Sequence, residues 1–318
     1  MQKIAITKYM GANFVRDVHL LALEIAEANR MGKHIVLDLD YEGWDIVETG
    51  IEKIVKDIAD RLCIPYNRIQ FRTNDMLAKS EIFVNKYCGW NEALRDAEHN
   101  NIQTISFPAV LRYGQFLGRA DNNRMYGHYK HINNRFKNQG VATFHHDPMI
   151  VHTYTHQSEF IEFCIEHNTA YKQILPNLPY SDLGIYLKPP IVFGNHMDID
   201  FWKRVYKNIT VELAYETVPS SGTFYPTEKT FRPIQYGKLF MIAAGRDYEK
   251  HLAGLGFDIF DDIIDKSYDS EEYYIRIDMM FNSLNQFLQS NYDVESLHTR
   301  LKRNQDLLCK LVKENAHE

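Results

Sequence analysis

Apolar and polar positions in the first third of the chain alternate between the spacing of strands and that of helices. Residues 3–7 form a short β-rich run, and apolar side chains then recur about every 3.6 positions over residues 15–28. Gly32 follows that stripe and is predicted to end the helix. A second step joins a strand at 34–39 to a one-sided helix at 51–62. Such alternation predicts a parallel sheet covered by helices.

The same order continues along the rest of the chain and restarts near residue 113. Further strands are predicted at 68–71, 101–107, 113–118, 141–144, 209–214 and 239–243. Helices are predicted to end near 138, to span 227–236 and to fill the tail from 270 onward. We therefore expect an α/β protein with two Rossmann-like lobes, 1–110 and 111–280, and a helical segment at 281–318 that packs back across both.

Length and composition agree with a globular protein of two domains. The chain has 318 residues, of which 45% are hydrophobic and 25% charged, so disordered, collagenous and fibrous chains are excluded. A formal charge of −6 argues against holding nucleic acid by overall charge. The four cysteines form no CxxC pair, and no apolar run reaches the length of a signal or membrane segment. A cytoplasmic protein with no membrane partner is predicted.

The Thr-Glu-Lys segment, residues 227–229, has the features of an anion site. Thr227 can cap a helix, and the free N–H groups of a helix start attract phosphate. Lys229 adds a full positive charge, and Glu228 can accept hydrogen bonds from ribose hydroxyls. The alternative is that Thr227 and Glu228 are ordinary capping residues and that Lys229 faces water.

A second cationic segment opens the same lobe at residues 118–124. It contains Arg119 and Arg124, and Arg124 lies near the start of the following helix. Ligands of open α/β sheets bind outside the carboxyl ends of the strands. Two basic helix starts from one sheet are therefore predicted to converge on one diphosphate.

Three segments in this order resemble the donor-binding half of the fucosyltransferase-like glycosyltransferases of the GT-B fold. They are 118–124, 213–217, and the Thr-Glu-Lys segment with Arg232. Residues 255–261 and 266–269 resemble a bacteriophage-encoded subgroup of such enzymes. The resemblance covers about residues 113–280 and implies a GT-B fold with two lobes facing a cleft. The donor-binding residues that it implies are Arg119, Arg124, Glu216, Thr227, Glu228, Lys229 and Arg232.

The resemblance also implies the chemistry. Arg124 and Lys229 would hold the diphosphate of a UDP or GDP sugar, so no metal or other cofactor is expected, and Glu228 would meet the ribose. Glu42, in an acidic loop after the second strand, is the candidate base that deprotonates the acceptor hydroxyl. Alternatively, Glu42 is a solvated surface residue, and Asp38 and Asp40 only cap the local structure.

The acceptor stays open at this stage. The bacteriophage resemblance suggests hydroxymethylated cytosine in double-stranded DNA, within the host cytoplasm, and a glycan or protein hydroxyl is the other option. Local basic patches could contact DNA phosphates, and the alternative is that these residues are scattered solvated charges: Arg61, Arg68, Arg72, Lys130, His131, Arg135 and Lys137. A non-catalytic nucleotide-binding protein of the same fold is a further alternative.

A metal site is not predicted from the histidines at 145, 146, 152 and 156. His152 and His156 would share a face only in a helix, and the intervening β-branched residues disfavour one. His145 or His146 instead follows a strand and could contact substrate.

Overall fold

The computed structural model describes residues 1–9, 17–39, 46, 49–86, 113–117, 122–144, 206, 209–216, 222–290, 292 and 294–315. The chain divides into two units. Unit 1 comprises Met1–Asn91 and Ser221–Thr227, and unit 2 comprises Glu92–Ser220 and Glu228–Glu318. Each unit is α/β and contains one parallel sheet with four described strands.

Unit 1 has its described strands in chain order. They are β1 (Gln2–Ala5), β2 (Ile35–Leu39), β3 (Ile69–Thr73) and β4 (Phe83–Lys86), all parallel, with helices α1 (Val18–Arg30) and α2 (Ile51–Arg61). Short 3-10 turns lie at Ile6–Tyr9 and Tyr66–Arg68. Leu21, Ile25 and Ala28 form the buried stripe of α1, at the helical spacing that the sequence indicates.

Residues from later in the chain complete unit 1 at the end of β3. Asp75, which is buried there, accepts the backbone N–H groups of Leu77 at 3.0 Å and of Phe224 at 3.2 Å through Oδ1. The Met76 N–H donates to the carbonyl of Phe224 at 2.9 Å, and Asn74 donates to the Tyr225 hydroxyl. These bonds fix the segment Ser221–Thr227 within unit 1, an attachment that no local sequence pattern indicated.

Unit 2 has a sheet in which chain order and spatial order differ. Its strands are β5 (Tyr113–Leu117), β6 (Gly140–Phe144), β7 (Val211–Tyr215) and β8 (Leu239–Ala243), arranged β6-β5-β7-β8 and all parallel. The described helices are α3 (Asn122–Ile132), α4 (Glu228–Gln235), α5 (Tyr248–Gly254), α6 (Tyr273–Gln289) and α7 (Val294–Asn315). Every residue of β7 and β8 is buried, as in central strands of parallel sheets.

Helix α3 lies close to β7 because it carries a glycine at the contact. A Cβ added to Gly127 would lie 2.4 Å from the hydroxyl oxygen of Tyr215 and 2.6 Å from its ring carbons. No larger residue fits there without displacing the tyrosine. This contact sets the spacing between α3 and the strand that precedes the Thr-Glu-Lys segment.

The C-terminal helices belong to unit 2. Arg300 on α7 forms paired hydrogen bonds with Asp258, at 2.6 and 2.8 Å, and with Asp262, at 2.9 and 2.7 Å. Gln305 of α7 donates to the carbonyl of Gln235, the last residue of α4, at 2.8 Å. Residues 281–318 are assigned to unit 2, and Asp258 of the 255–261 segment serves to dock α7.

Several predicted bounds differ from those observed. Helix α1 begins at Val18, and the helix predicted to reach 138 ends at Ile132. The Asn133 amide donates back to the Tyr129 carbonyl at 2.9 Å, and such side-chain bonds compete with helix continuation. Strand β4 was not predicted, and the predicted strand at 101–107 lies outside the described residues. Along the sequence the chain passes from one unit to the other after Asn91, Ser220 and Thr227.

No helix in the described part of the chain combines the length and the apolar character needed to cross a membrane.

Candidate functional site

The sheet of unit 2 contains a topological switch point between β5 and β7. The chain passes from β5 through α3 to β6 on one side, and from β7 through α4 to β8 on the other side. Loops that leave neighbouring strands in opposite directions open a crevice at their carboxyl ends, where ligands of open α/β sheets bind. The four described strands of unit 1 contain no such reversal.

Two predicted cationic residues lie in the first turns of the helices that follow these strands. Arg124 is the third residue of α3 and Lys229 is the second residue of α4. Both are buried, Arg124 at 4% and Lys229 at 9% exposure. Helix starts present unpaired N–H groups and a partial positive charge, so both positions favour an anion.

Lys229 contacts two carboxylates. Its Nζ lies 2.9 Å from Oε1 of Glu228 and 4.0 Å from Oε2 of Glu216. Burial acts to raise the pKa of Glu228, but Lys229, Arg232 and a backbone hydrogen bond together lower it to about 2. Glu228 is therefore ionised at neutral pH.

Glu216 follows β7 directly and is held by hydroxyl groups. Its N–H donates to the carbonyl of Ala243 at 3.0 Å, which extends the β7–β8 ladder by one residue. Its Oε1 accepts from Thr230 at 2.5 Å and from the Tyr248 hydroxyl at 3.3 Å, and the two hydroxyl oxygens lie 2.9 Å apart. The sequence placed Glu216 among the donor residues but indicated neither hydroxyl partner.

Arg232 faces the interior of unit 2. Its Nη2 donates to Glu212 at 2.9 Å, and its Nε donates to the Tyr206 hydroxyl at 2.8 Å. Tyr206 also bonds the Glu212 carboxylate and stacks on Tyr236 with 4.6 Å between ring centroids. Burial raises the pKa of Glu212, while Arg232 opposes that rise. The predicted donor residue Arg232 is thus part of a buried ion pair that ties α4 to β7.

Glu249 is a third buried carboxylate of unit 2 that is paired with a cation and with a tyrosine hydroxyl. Glu249 of α5 pairs with Lys266 at 2.5 Å and accepts from the Tyr268 hydroxyl at 2.5 Å. Its second role is to accept the N–H of Ile242 at 2.7 Å. Among the three carboxylates, Glu216 is the one whose cation stands at a described helix start beside the switch point.

The remaining predicted site residues are placed as follows. Thr227 is buried and immediately precedes α4, as a capping residue does. Glu42 and Arg119 lie outside the described residues, as do the histidines at 145, 146, 152 and 156. Within the described ranges, no three histidine, cysteine or acidic side chains are grouped so that they could hold a metal ion.

Several of the basic residues suggested as DNA contacts are engaged inside their own units. Arg68 donates to Asn29 and to the Lys33 carbonyl, both at 2.9 Å, and Arg72 pairs with Asp38 at 3.0 Å. Lys130 pairs with Asp278 at 2.8 Å.

His131 lies within the interior of unit 2. Burial lowers its pKa to about 3, so it is neutral at physiological pH. A neutral buried imidazole does not contact a phosphate. Arg61 and Arg135 are exposed.

Comparison of the chain with protein-family models, with curated proteins and with solved structures finds no match in any of the three.

Proposed function

We propose that this protein is a glycosyltransferase of GT-B type that transfers a sugar from a nucleotide-diphosphate donor to an acceptor hydroxyl. One observation carries the proposal: Arg124 and Lys229 occupy the first turns of the two helices that flank the switch point of one parallel sheet. Two cations and two helix starts at such a crevice suit a diphosphate leaving group. The resemblance of the same residues to fucosyltransferase-like enzymes supports the same chemistry.

In this mechanism Lys229 exchanges partners when the donor binds. It now bonds Glu228, whose side chain is about one-third exposed, and it would exchange that bond for one to a phosphate oxygen of the donor. Glu228 would then accept hydrogen bonds from the ribose hydroxyls. Arg124 and the α4 start would share the charge of the departing diphosphate, so no metal is required. Glu42 is proposed as the base on the acceptor side.

Nucleotide binding tests the first half of the proposal. The melting temperature of the whole chain is measured with UDP, GDP and their sugars, because a ligand that binds the folded state raises it. Lys229→Ala removes one charge-assisted contact, worth about 1.5–3 kcal/mol, so affinity should fall roughly 10- to 100-fold. The matched control is Lys250→Ala, an exposed lysine on α5, which should bind as the wild type does. A nucleotide-induced shift that survives Lys229→Ala contradicts the assigned site.

Catalysis tests the second half. The protein is incubated with each donor that binds, and released nucleoside diphosphate is measured with and without acceptors. Hydrolysis or transfer that is lost in Glu42→Gln supports the enzyme and its base. Binding without hydrolysis or transfer would instead favour a nucleotide-binding protein that lacks the catalytic base.

For the acceptor, the placement of the basic residues favours a glycan or protein hydroxyl over duplex DNA. Arg68, Arg72 and Lys130 are bonded within their units and His131 is neutral, so few of the suggested phosphate contacts are available. A gel-shift titration with hydroxymethylated duplex separates the two classes. An association constant for the duplex that falls steeply as salt is added would favour DNA.

The scattered cysteines, of which Cys63 and Cys309 are free, favour a reaction in the cytoplasm.

A further inference from the structure

Glu216, Thr230 and Tyr248 lie within hydrogen-bond distance of one another and form a cluster that we call the hydroxyl clamp. The three side chains come from three elements: the end of β7, helix α4 and helix α5. All are buried, with exposures of 5%, 0% and 2% respectively. The distances within the clamp are 2.5, 2.9 and 3.3 Å. Hydrogen bonds to a buried carboxylate are strengthened by the low local dielectric.

The two hydroxyl groups supply the donors of the clamp, and Glu216 supplies an acceptor oxygen. Each hydroxyl group has one proton to donate. Thr230 donates to Oε1, and Tyr248 donates to Oε1 or to the threonine oxygen. Both hydroxyl protons therefore have an acceptor, and the orientation of the carboxylate is determined.

This orientation directs the second carboxylate oxygen toward Lys229. Oε2 of Glu216 lies 4.0 Å from Nζ of Lys229, which also pairs with Glu228 at 2.9 Å. The clamp thus fixes one of the carboxylate charges that face Lys229 at the start of α4.

We propose that Tyr248 and Thr230 are positioning residues: through Glu216 they hold the ammonium of Lys229 where it meets the diphosphate of the donor. The link to the diphosphate rests on the proposed function, but the positioning of Lys229 does not. Both side chains are buried, and in this proposal they act through Glu216 rather than by contact with the donor. Their role differs from that of Tyr268, which bonds the buried Glu249 and its partner Lys266 elsewhere in the same unit.

Two measurements on the full chain test the clamp. The first is the rate at which an acylating reagent modifies the Lys229 amine, quantified by mass spectrometry without any nucleotide. The second is the dissociation constant for UDP and GDP, measured by calorimetry well below the melting temperature. The variants are Tyr248→Phe, Thr230→Val and Thr230→Ser, with Tyr268→Phe as the matched control.

Tyr248→Phe and Thr230→Val should each speed modification of Lys229 and weaken nucleotide binding by about 3- to 10-fold, the equivalent of one hydrogen bond. Thr230→Ser keeps the hydroxyl and should behave as the wild type. Tyr268→Phe should lower the melting temperature while leaving both measurements unchanged.

The two measurements separate the two proposals. If Tyr248→Phe and Thr230→Val speed modification of Lys229 but the wild type binds no nucleotide, the clamp is supported and the proposed function is overturned. Wild-type nucleotide binding with no change in Tyr248→Phe and Thr230→Val would keep the proposed function and overturn the clamp. Equal effects from Tyr268→Phe would reduce the clamp to general stabilisation of unit 2 and overturn its positioning role.

Discussion

Replacing Arg232 by Met separates a structural role for this residue from a donor-binding one. The guanidinium of Arg232 bonds Glu212 at 2.9 Å and the Tyr206 hydroxyl at 2.8 Å, in a region where the Glu212 side chain has no exposure. Methionine has a similar length but no charge. The substitution therefore leaves the Glu212 carboxylate buried with its cation removed.

The expected cost follows from that geometry. Removing one partner of a buried ion pair costs about 3–5 kcal/mol, because the remaining charge is left uncompensated. For a unit of about 200 residues, each 1 kcal/mol lowers the melting temperature by about 2–4 °C. We therefore expect the unfolding of unit 2 to shift down by roughly 6–20 °C. Adding Glu212→Gln removes the buried charge and should restore most of the loss.

The pH dependence gives an independent check. Burial raises the pKa of Glu212 in the folded protein, and Arg232 opposes that rise. In Arg232→Met the folded pKa rises further above the unfolded value, so the folded state holds its proton more tightly. A raised folded pKa contributes stability at low pH that is lost as the pH rises through it. The deficit of the variant should thus be smaller at about pH 5 than at about pH 8.

The assay is calorimetric unfolding of wild type, single and double variants at both pH values. A single variant that melts within about 2 °C of the wild type would refute the structural role. If that variant also lost nucleotide binding, the sequence-based prediction that Arg232 contacts the donor would be favoured instead.

Three further predictions concern packing and loop anchoring. Gly127→Ala places a Cβ 2.4 Å from the Tyr215 hydroxyl oxygen and should lower the free energy of unfolding in urea by about 1–3 kcal/mol. Adding Tyr215→Phe should restore only part of that stability, because ring carbons of Tyr215 also lie 2.6 Å from the Cβ, and full recovery would contradict this packing. Arg300→Ala should lower the free energy of unfolding by about 1–2 kcal/mol and speed hydrogen exchange in α7. Lys302→Ala, which removes an exposed ion pair, should change that free energy by no more than about 0.5 kcal/mol, and equal effects of the two variants would contradict docking by Arg300. Asp75→Ala removes the acceptor of two backbone N–H groups and should lower the stability of unit 1 by about 1–3 kcal/mol in chemical denaturation, and an unchanged midpoint would disprove that anchoring.

Local patterns predicted the secondary structure best where the apolar residues of a single element account for its burial. The strand predicted at 239–243 is observed as Leu239–Ala243, an uninterrupted apolar run with every residue buried. Helix α2 follows its predicted stripe and is observed at Ile51–Arg61. In both cases the spacing of apolar residues is sufficient to predict the element, because the residues that form the buried face lie in consecutive turns or positions of the chain.

The candidate site was predictable in part. Arg124, Glu228 and Lys229 were found from their places at helix starts, which are local features. Tyr248 and Thr230 were missed, because a hydroxyl group in an ordinary helix carries no local signal of its partner. A signal for Glu212 did exist, since a charged residue inside a wholly buried strand requires a counter-ion.

The sequence alone determined the α/β class, the parallel strands with their covering helices, and the residues that stand at helix starts, since each depends on chemistry within a few positions. Only the tertiary structure decided the order β6-β5-β7-β8, the attachment of Ser221–Thr227 to unit 1, and which carboxylate pairs with which cation. Those outcomes depend on contacts between residues far apart in the chain. Burial then sets their strength, and neither distance nor burial is contained in a local pattern of residues.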